Sequence, residues 1–320
     1  MMKPLISICI PTFQRPELLN QAINSCLEQT YRGIEIIICD DSKDNASAKV
    51  VLAFGKPETI RYYHNQPSLG QADNVNRLFD LAQGDRLVLL HDDDLLLPTA
   101  IESMHLQWQV EPNLVVCFGK QYFINEIGDI LRTQSCQLNE DYYRTDDHKG
   151  LQTSALWSAL VAQFPNDSYM ILTKAAQKVR YRNHAEVGAA CDFDFGLRLA
   201  AVYDKFFFLN QYIAKYRLTQ LSVLKSNHYE HLSYQLIQSL HLPVELESFR
   251  NQQLEKYASS AISCNLAIDR KDLAYKIYTS SSHSWSKRLS LKGLIQAILL
   301  VFPSKLSAIM VRKVQQRKSR

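Results

Sequence analysis

Apolar and polar positions follow two rhythms through the amino-terminal third of the chain. Leu5-Ile-Ser-Ile-Cys-Ile10 is a short apolar run rich in branched side chains, and Ile34–Cys39 is a second, with Glu35 apart. Such runs predict strands buried on both faces. Ile60–His64 and Arg86–Leu90 predict two more. Between them the spacing becomes helical. Pro16–Glu28 carries Leu18, Leu19, Ala22, Ile23, Cys26 and Leu27 on one stripe, with Pro near the first position. Ala46–Phe54 reads as a helix. So does Gly70–Gln83, where Ala72, Val75, Leu78, Phe79 and Ala82 align before Gly84. Thr99–Val110 predicts a fourth.

Strands alternating with helices predict an α/β fold, a Rossmann-like, mainly parallel sheet flanked by helices. Beyond Leu114 the pattern mixes. Leu114–Phe118, Gln121–Ile124 and Asp129–Arg132 read as strands, Ser154–Val161 and Ser168–Lys178 as helical or mixed, and Ser135–Gly150 as a loop without readable code. Asp192–Ala201 predicts an amphipathic helix and Phe206–Tyr216 a strand. From His231 to Tyr278 the chain reads as helical, with Glu247–Tyr278 a candidate hairpin.

In an open parallel sheet ligands bind beyond the carboxyl ends of the strands. The segments there are Pro11-Thr-Phe-Gln-Arg15, Asp40-Asp-Ser-Lys-Asp44 and His91-Asp-Asp-Asp94. Adjacent carboxylates repel unless a cation joins them. Hard oxygen donors select Mg2+ or Mn2+, shared with substrate phosphates. A solvated acidic turn capping the next helix is the competing reading of an isolated triple Asp. Its place after a buried strand, together with the Pro11-Thr-Phe-x-Arg15 of the first strand, favours the cation.

Composition changes this picture little. The chain has 320 residues, 46% hydrophobic and 21% charged, which excludes a disordered chain, a collagen and a polytopic membrane protein. Seven scattered cysteines without a C-x-x-C pair predict reduced, mostly buried thiols rather than a disulfide framework or a thiolate zinc site. The apolar run after Lys3 spans six residues before Pro11, too few for a leader. Charge matters more. Residues 273–320 hold ten Lys/Arg and no Asp/Glu, whereas residues 1–272 hold 26 basic and 32 acidic side chains, a net of −6. Leu289, Leu291, Leu294, Ile295, Ile298, Leu299, Val301 and Phe302, then Leu306, Ile309, Met310 and Val314, recur at helical spacing around Pro303. A basic amphipathic tail over 287–320 suits an anionic membrane surface. A helical pair packed on the body with exposed lysines is the alternative. No nucleic-acid module accompanies the basic end, and no G-x-x-x-x-G-K-[ST], G-x-G-x-x-G or H-E-x-x-H motif occurs.

Several segments in order resemble one family. They are Ile8-Cys-Ile-Pro-Thr-Phe-Gln-Arg15, Ala22–Tyr31, Glu35–Asp44, Asn74-Val-Asn76, Ala82-Gln-Gly-Asp85 and Leu90-His-Asp-Asp-Asp-Leu-Leu-Leu-Pro98. Together they are similar to the family 2 glycosyltransferases of the GT-A fold. The resemblance implies that Pro11 and Phe13 line the nucleotide base, Phe13 by stacking, with Arg15 near the base or phosphates. It implies that Asp41 hydrogen-bonds the base with Asp40 beside it, that Asp92 lies by the ribose, and that Asp93 binds the metal bridging the diphosphate. His91 stands where the family often has its first Asp. Gly188–Ala200 resembles the family's Glu-Asp-x-Asp-Leu-x-x-Arg helix start, which makes Asp192 the catalytic base, with Cys191 in place of the usual Glu. Tyr216-Arg217 with Ser222 resembles a late segment near the diphosphate. Each residue has an ordinary alternative: core packing for Phe13, a surface charge for Arg15, a turn cap for Asp40, a helix N-cap for Asp192, a fold-holding amide for Asn76, a helix-face ion pair for Arg198.

The implied activity is inverting, metal-dependent transfer of one sugar from a nucleoside-diphosphate sugar to a glycan or lipid-linked acceptor in surface polysaccharide synthesis. The implied location is cytoplasmic, peripheral on the inner face of the membrane. No Gln-x-x-Arg-Trp signature of processive synthases is present. A catalytically silent sugar-nucleotide binding protein and a nucleotidyltransferase are the rival readings. The expected division is a catalytic domain over 1–225 (a nucleotide-sugar half 1–115 and an acceptor half 116–225), a helical extension over 226–286 and the tail.

Overall fold

The computed structural model describes residues 4–56, 58–218 and 230–318. The first compact unit comprises residues 1–186 and 191–218, and the second comprises 187–190 and 219–320.

In the first unit, β1 (Ile6–Thr12), α1 (Pro16–Leu27), β2 (Ile34–Asp40), α2 (Ala46–Ala53), β3 (Ile60–His64), α3 (Gln71–Leu81) and β4 (Arg86–Leu89) alternate as the hydrophobic pattern predicts. Strands β3, β2, β1 and β4 lie side by side and parallel. Buried Ile6, Ile8, Ile10, Ile36, Ile38, Val88 and Leu90 form the core with the inner face of α1. Glu35 interrupts this apolar sheet because its carboxylate is fully served. Ser7 Oγ donates at 2.6 Å, Arg61 Nη1 at 2.6 Å and Gln83 N at 2.7 Å. Unpaired, a buried carboxylate would cost several kcal/mol.

The chain continues through β5 (Leu95–Leu96), α4 (Ala100–Val110), β6 (Val116–Ile124), α5 (Arg132–Asp141), β7 (Gly150–Leu151), α6 (Ala155–Leu160), β8 (Tyr169–Leu172), α7 (Thr173–Val179), α8 (His184–Val187), α9 (Cys191–Val202) and β9 (Phe206–Arg217). The sheet runs β3-β2-β1-β4-β8-β6-β9-β5, with β7 on β9. Strand β8 is antiparallel to both β4 and β6, so the sheet is mixed.

Several expectations need correction. The two strands expected over 114–124 are one strand, β6, bent by register shifts at Gly119/Lys120/Gln121 against β9. A Cβ at Gly119 would meet Gln211 O at 2.7 Å, so only glycine permits that approach. Asp129–Arg132 contributes a single bridge, Ile130 to Ile124, and the expected loop over 135–150 starts inside helix α5, which runs to Asp141. Ser168–Lys178 resolves into strand β8 followed by helix α7. All seven cysteines are free, six of them buried.

The second unit is helical: α10 (Glu230–Ser239), α11 (Glu247–Ala267), α12 (Lys271–Thr279), α13 (Trp285–Leu289), α14 (Leu291–Val301) and α15 (Ser304–Lys318). Helix α11 is central and packs against α10, α12, α14 and α15. Its buried Ala258, Ala261 and Ile262 allow close approach. With α12 it forms the expected hairpin. Among the described residues no helix is long and apolar enough to cross a membrane.

Candidate active site

The site forms because β1 and β4 are neighbouring parallel strands whose carboxyl ends open together. Thr12, the last residue of β1, donates Oγ1 to Asp92 Oδ2 at 2.7 Å, and Phe13 N reaches the same oxygen at 3.3 Å. Gln14 takes a positive φ of 55°, which turns the chain so that Arg15 points back. Arg15 Nη1 lies 3.2 Å from Asp92 Oδ1 and 2.6 Å from Asp93 Oδ2. Burial pushes Asp92 up to about 6, although Arg15 opposes the shift. Pro11 is half-buried beside them and the Phe13 ring is 50% exposed.

Behind this pair sits Asp94, which accepts from Arg217 N at 2.7 Å. Burial and the facing Asp167 raise Asp94 well above the ordinary carboxylate range, and the two share a hydrogen bond. Arg217 also donates Nε to Asp93 O at 2.9 Å. Asp167 precedes β8, and Ser168 N donates to Leu89 O at 2.7 Å, which brings Asp167 to the end of β4. His91 N reaches Asp167 Oδ2 at 3.3 Å. Burial pulls the His91 imidazole down, but Asp167, Asp192, Asp93 and Asp92 outweigh it and raise it.

A divalent cation suits this set. Ligand atoms of His91, Asp93 and Asp94 all lie within 4.8 Å of one another. Two hard carboxylates and one imidazole are a donor set for Mn2+ and, less well, Mg2+. Five carboxylates, Asp92, Asp93, Asp94, Asp167 and Asp192, crowd a region where Arg15, Arg217 and Arg144 are the nearby guanidinium groups.

Asp41 ties the second strand end to helix α3. Its Oδ1 accepts from Asn65 Nδ2 at 2.6 Å and Leu69 N at 3.1 Å, and its Oδ2 from Gly70 N at 2.8 Å. Gly70 has φ 82°, a conformation glycine adopts freely, and it positions Gln71 at the helix start. Gln71 Nε2 donates to Asp192 Oδ2 at 3.3 Å. Asp192 Oδ1 is buried and has no hydrogen-bond partner of normal geometry. Burial raises Asp192; His91, Tyr181 and Gln71 oppose that, and Asp167 adds to it.

Pro11, Phe13, Arg15, Asp92 and Asp93 therefore lie together, and Asp192 joins them through His91 on one side and Gln71 on the other. Asp40 stands apart. It is fully buried, with Oδ1 accepting from Ser42 N at 2.8 Å and Oδ2 from Tyr62 Oη at 2.6 Å. The turn-holding alternative describes these contacts. Asp192 lies within the first turn of α9 rather than at its N-cap. Asp194 is gripped by Arg182 and by Arg198 Nε at 2.8 Å, which gives Arg198 the helix-face ion pair expected of it. Asn76 holds Tyr181 through both backbone groups. Ser222 lies outside the described residues. Sequence reading missed Asp167, Gln71 and Tyr181. For Asp167 the available signal was Asn166-Asp-Ser168, a turn before the apolar Tyr169-Met-Ile-Leu172.

Comparison with known proteins gives this geometry a family. The model for Glycosyl transferase family 2 matches residues 7–162. An uncharacterized glycosyltransferase of Methanocaldococcus jannaschii is 26% identical over 219 residues, covering 68% of this chain and 71% of the relative. The GalNAc(5)-diNAcBac-PP-undecaprenol β-1,3-glucosyltransferase of Campylobacter jejuni is 25% identical over 96% of this chain and 98% of its own. Two further relatives are spanned over only 36% and 56% of their lengths. A mannosyltransferase of Pyrobaculum calidifontis, solved with GDP-Man and Mn2+, superposes with a TM-score of 0.61 at 11% identity, covering 100% of this chain and 86% of that one, a likeness of fold. Residues 7–162 thus match glycosyl transferase family 2, and the chain is a glycosyltransferase with the GT-A fold.

Proposed function

We propose that the protein moves one sugar, with inversion, from a nucleoside-diphosphate sugar to a glycan or lipid-linked acceptor in surface polysaccharide synthesis. The observation that carries this reading is the unpartnered Asp192 oxygen beside the acidic ends of β1 and β4. The pairing of GDP-Man with Mn2+ in the Pyrobaculum mannosyltransferase and the undecaprenol-linked acceptor in the name of the Campylobacter relative support it. The catalytic domain of this reading is residues 1–225.

In this reading the exposed Phe13 ring stacks on the base, with Pro11 beneath it. Asp41 Oδ2, which accepts one protein bond, offers its remaining lone pair to a base N–H. Asp92 faces the ribose. Arg15 leaves the carboxylates to meet the diphosphate. His91, Asp93 and Asp94 would hold Mn2+ or Mg2+, which when bound would offset the charge gathering on the leaving diphosphate. Asp192 takes the proton of the acceptor hydroxyl as that oxygen attacks the anomeric carbon. Gln71 holds Oδ2 of that carboxylate and so orients it. A lipid-linked acceptor is met at a bilayer, and peripheral attachment on the cytoplasmic face is the corresponding location.

The test is a screen of nucleoside-diphosphate sugars with Mn2+, reading thermal stabilisation and nucleoside diphosphate release. Cation-dependent release that vanishes in Asp192→Asn is the expected result. Donor binding without release in the native protein, unchanged in Asp192→Asn, would leave a silent sugar-nucleotide binder instead.

A further inference from the structure

Helix α14 is built inside out. Its buried side consists of Gly293, Gln296, Leu299 and Leu300. Its outward side carries Leu291, Leu294, Ile295, Ile298 and Val301, each between 48% and 85% exposed. The helix's one amide, Gln296, points inward and donates Nε2 to Ser259 O at 2.6 Å and Ser263 Oγ at 2.8 Å on α11. An ordinary surface helix does the reverse. The orientation is locked, because a Cβ at Gly293 would meet Lys287 O at 2.1 Å and Arg288 O at 2.5 Å. No other residue could take that inward place without moving backbone.

Helix α15 repeats the arrangement. Ser307, Ala308 and Val311 are buried, while Leu306, Ile309 and Met310 are 45–50% exposed. Leu289 and Trp285, 69% and 72% exposed, extend the apolar surface upstream. Scattered exposed leucines are normal, but eight large apolar side chains exposed on two consecutive helices mark an interaction site. Charge identifies the partner. Lys292, Lys305, Arg312 and Lys313 are exposed on the same two helices, and no acidic residue occurs after Asp272. A second copy docking face to face would set one cationic rim against another. An anionic bilayer meets both features, taking the aliphatic face into its acyl boundary and pairing headgroups with the rim. The eleven residues of α14 reach about 16 Å, which suits a helix lying in the interface rather than across it.

We propose that the outward faces of α14 and α15 are a docking surface for anionic lipid bilayers. The inference deepens the location proposed above but rests on the second unit alone.

The experiment is co-sedimentation of the full chain with vesicles of phosphatidylglycerol and phosphatidylcholine, against phosphatidylcholine alone. Binding to the anionic vesicles is expected, about tenfold or more weaker in Ile298→Asp/Val301→Asp, where two exposed aliphatics are lost. Lys305→Gln/Lys313→Gln should weaken binding less and reduce its salt dependence. Far-UV circular dichroism and thermal melting check that both variants fold. Nucleoside diphosphate release without lipid, measured on the same variants, should not change, which separates failure of docking from failure of sugar transfer. Absence of binding, equal binding to both vesicle types, or unaltered binding by the Asp variant would overturn the proposal. So would a dimer in light scattering that Ile298→Asp/Val301→Asp dissolves, since that assigns the face to a second copy.

Discussion

Gln71 Nε2 holds Asp192 Oδ2 at 3.3 Å, while Oδ1 of the same carboxylate has no partner of normal geometry. The amide holds one oxygen, and the other is buried without a protein donor of normal geometry. Asp192→Asn keeps the shape and the Gln71 neighbour but removes the proton acceptor. Turnover should fall by about 10²–10⁴-fold, with donor affinity within a factor of about two. Donor affinity by calorimetry and product release by coupled assay separate the two effects.

Acidity supplies a second check. Burial raises Asp192, and the Gln71 contact opposes that rise. A base works when deprotonated, so kcat/KM should decline on the acid side through a pKa above the ordinary carboxylate value. Gln71→Leu removes a donor that favours the charged form, and the acid limb should move to higher pH. A pH profile of the two proteins decides it; a limb that stays put would remove Asp192 as the titrating group.

Asp92 tests the energetics of the cluster without ligand. Its pKa, pushed up to about 6, lies above the unfolded value of 3.8, so the native state binds the proton more readily. Stability contributed by this group therefore falls as pH rises from about 4 through 6. Asp92→Asn should stabilise the ligand-free protein at pH 7.5 by about 1–3 kcal/mol, with the gain shrinking toward pH 4. The same change should weaken donor binding. Denaturant titration across pH measures the first and donor titration the second.

Cation dependence follows from the proposed donor set. Chelation should abolish turnover, and Mn2+ should restore it better than Mg2+, because an imidazole joins two carboxylates. His91→Ala should weaken Mn2+ binding by on the order of tenfold or more, and Asp93→Ala by at least as much. Titration of Mn2+ by its paramagnetic signal reads the metal directly, apart from activity.

The legible parts of the molecule are those whose signal is local. Ile6–Ile10, Ile34–Cys39 and Leu87–Leu89 are buried on both faces, so their apolar runs announce strands. Their ends could be inspected for ligands because a parallel sheet opens there. Asp40 shows what adjacency leaves open. It sits beside Asp41 at a strand end, fully buried, and each of its oxygens accepts a protein bond, from Ser42 N and Tyr62 Oη. Asp167 was illegible for the opposite reason. Its importance depends on β8 running antiparallel to β4, a pairing across about eighty residues that no local pattern announces. The Tyr169–Val179 stretch also hides its boundary, since Leu172 ends a strand and Thr173 begins a helix without a glycine or proline between them. Helix α5 was missed because it is mostly polar, and its inward Ser135 and Asn139 fasten it by hydrogen bonds rather than by an apolar stripe.

The insertion of β8 between β4 and β6 has a consequence for any attempt to dissect the protein. A fragment stopped at residue 115 would retain the parallel strands β3, β2, β1 and β4 but leave one flank of β4 a raw edge, with unpaired amides open to self-association. The same cut would strip Asp94 of the Arg217 amide that steadies it. Half of this sheet cannot serve as a smaller enzyme, because the groups that make its acidic corner tolerable arrive on the strands that close it.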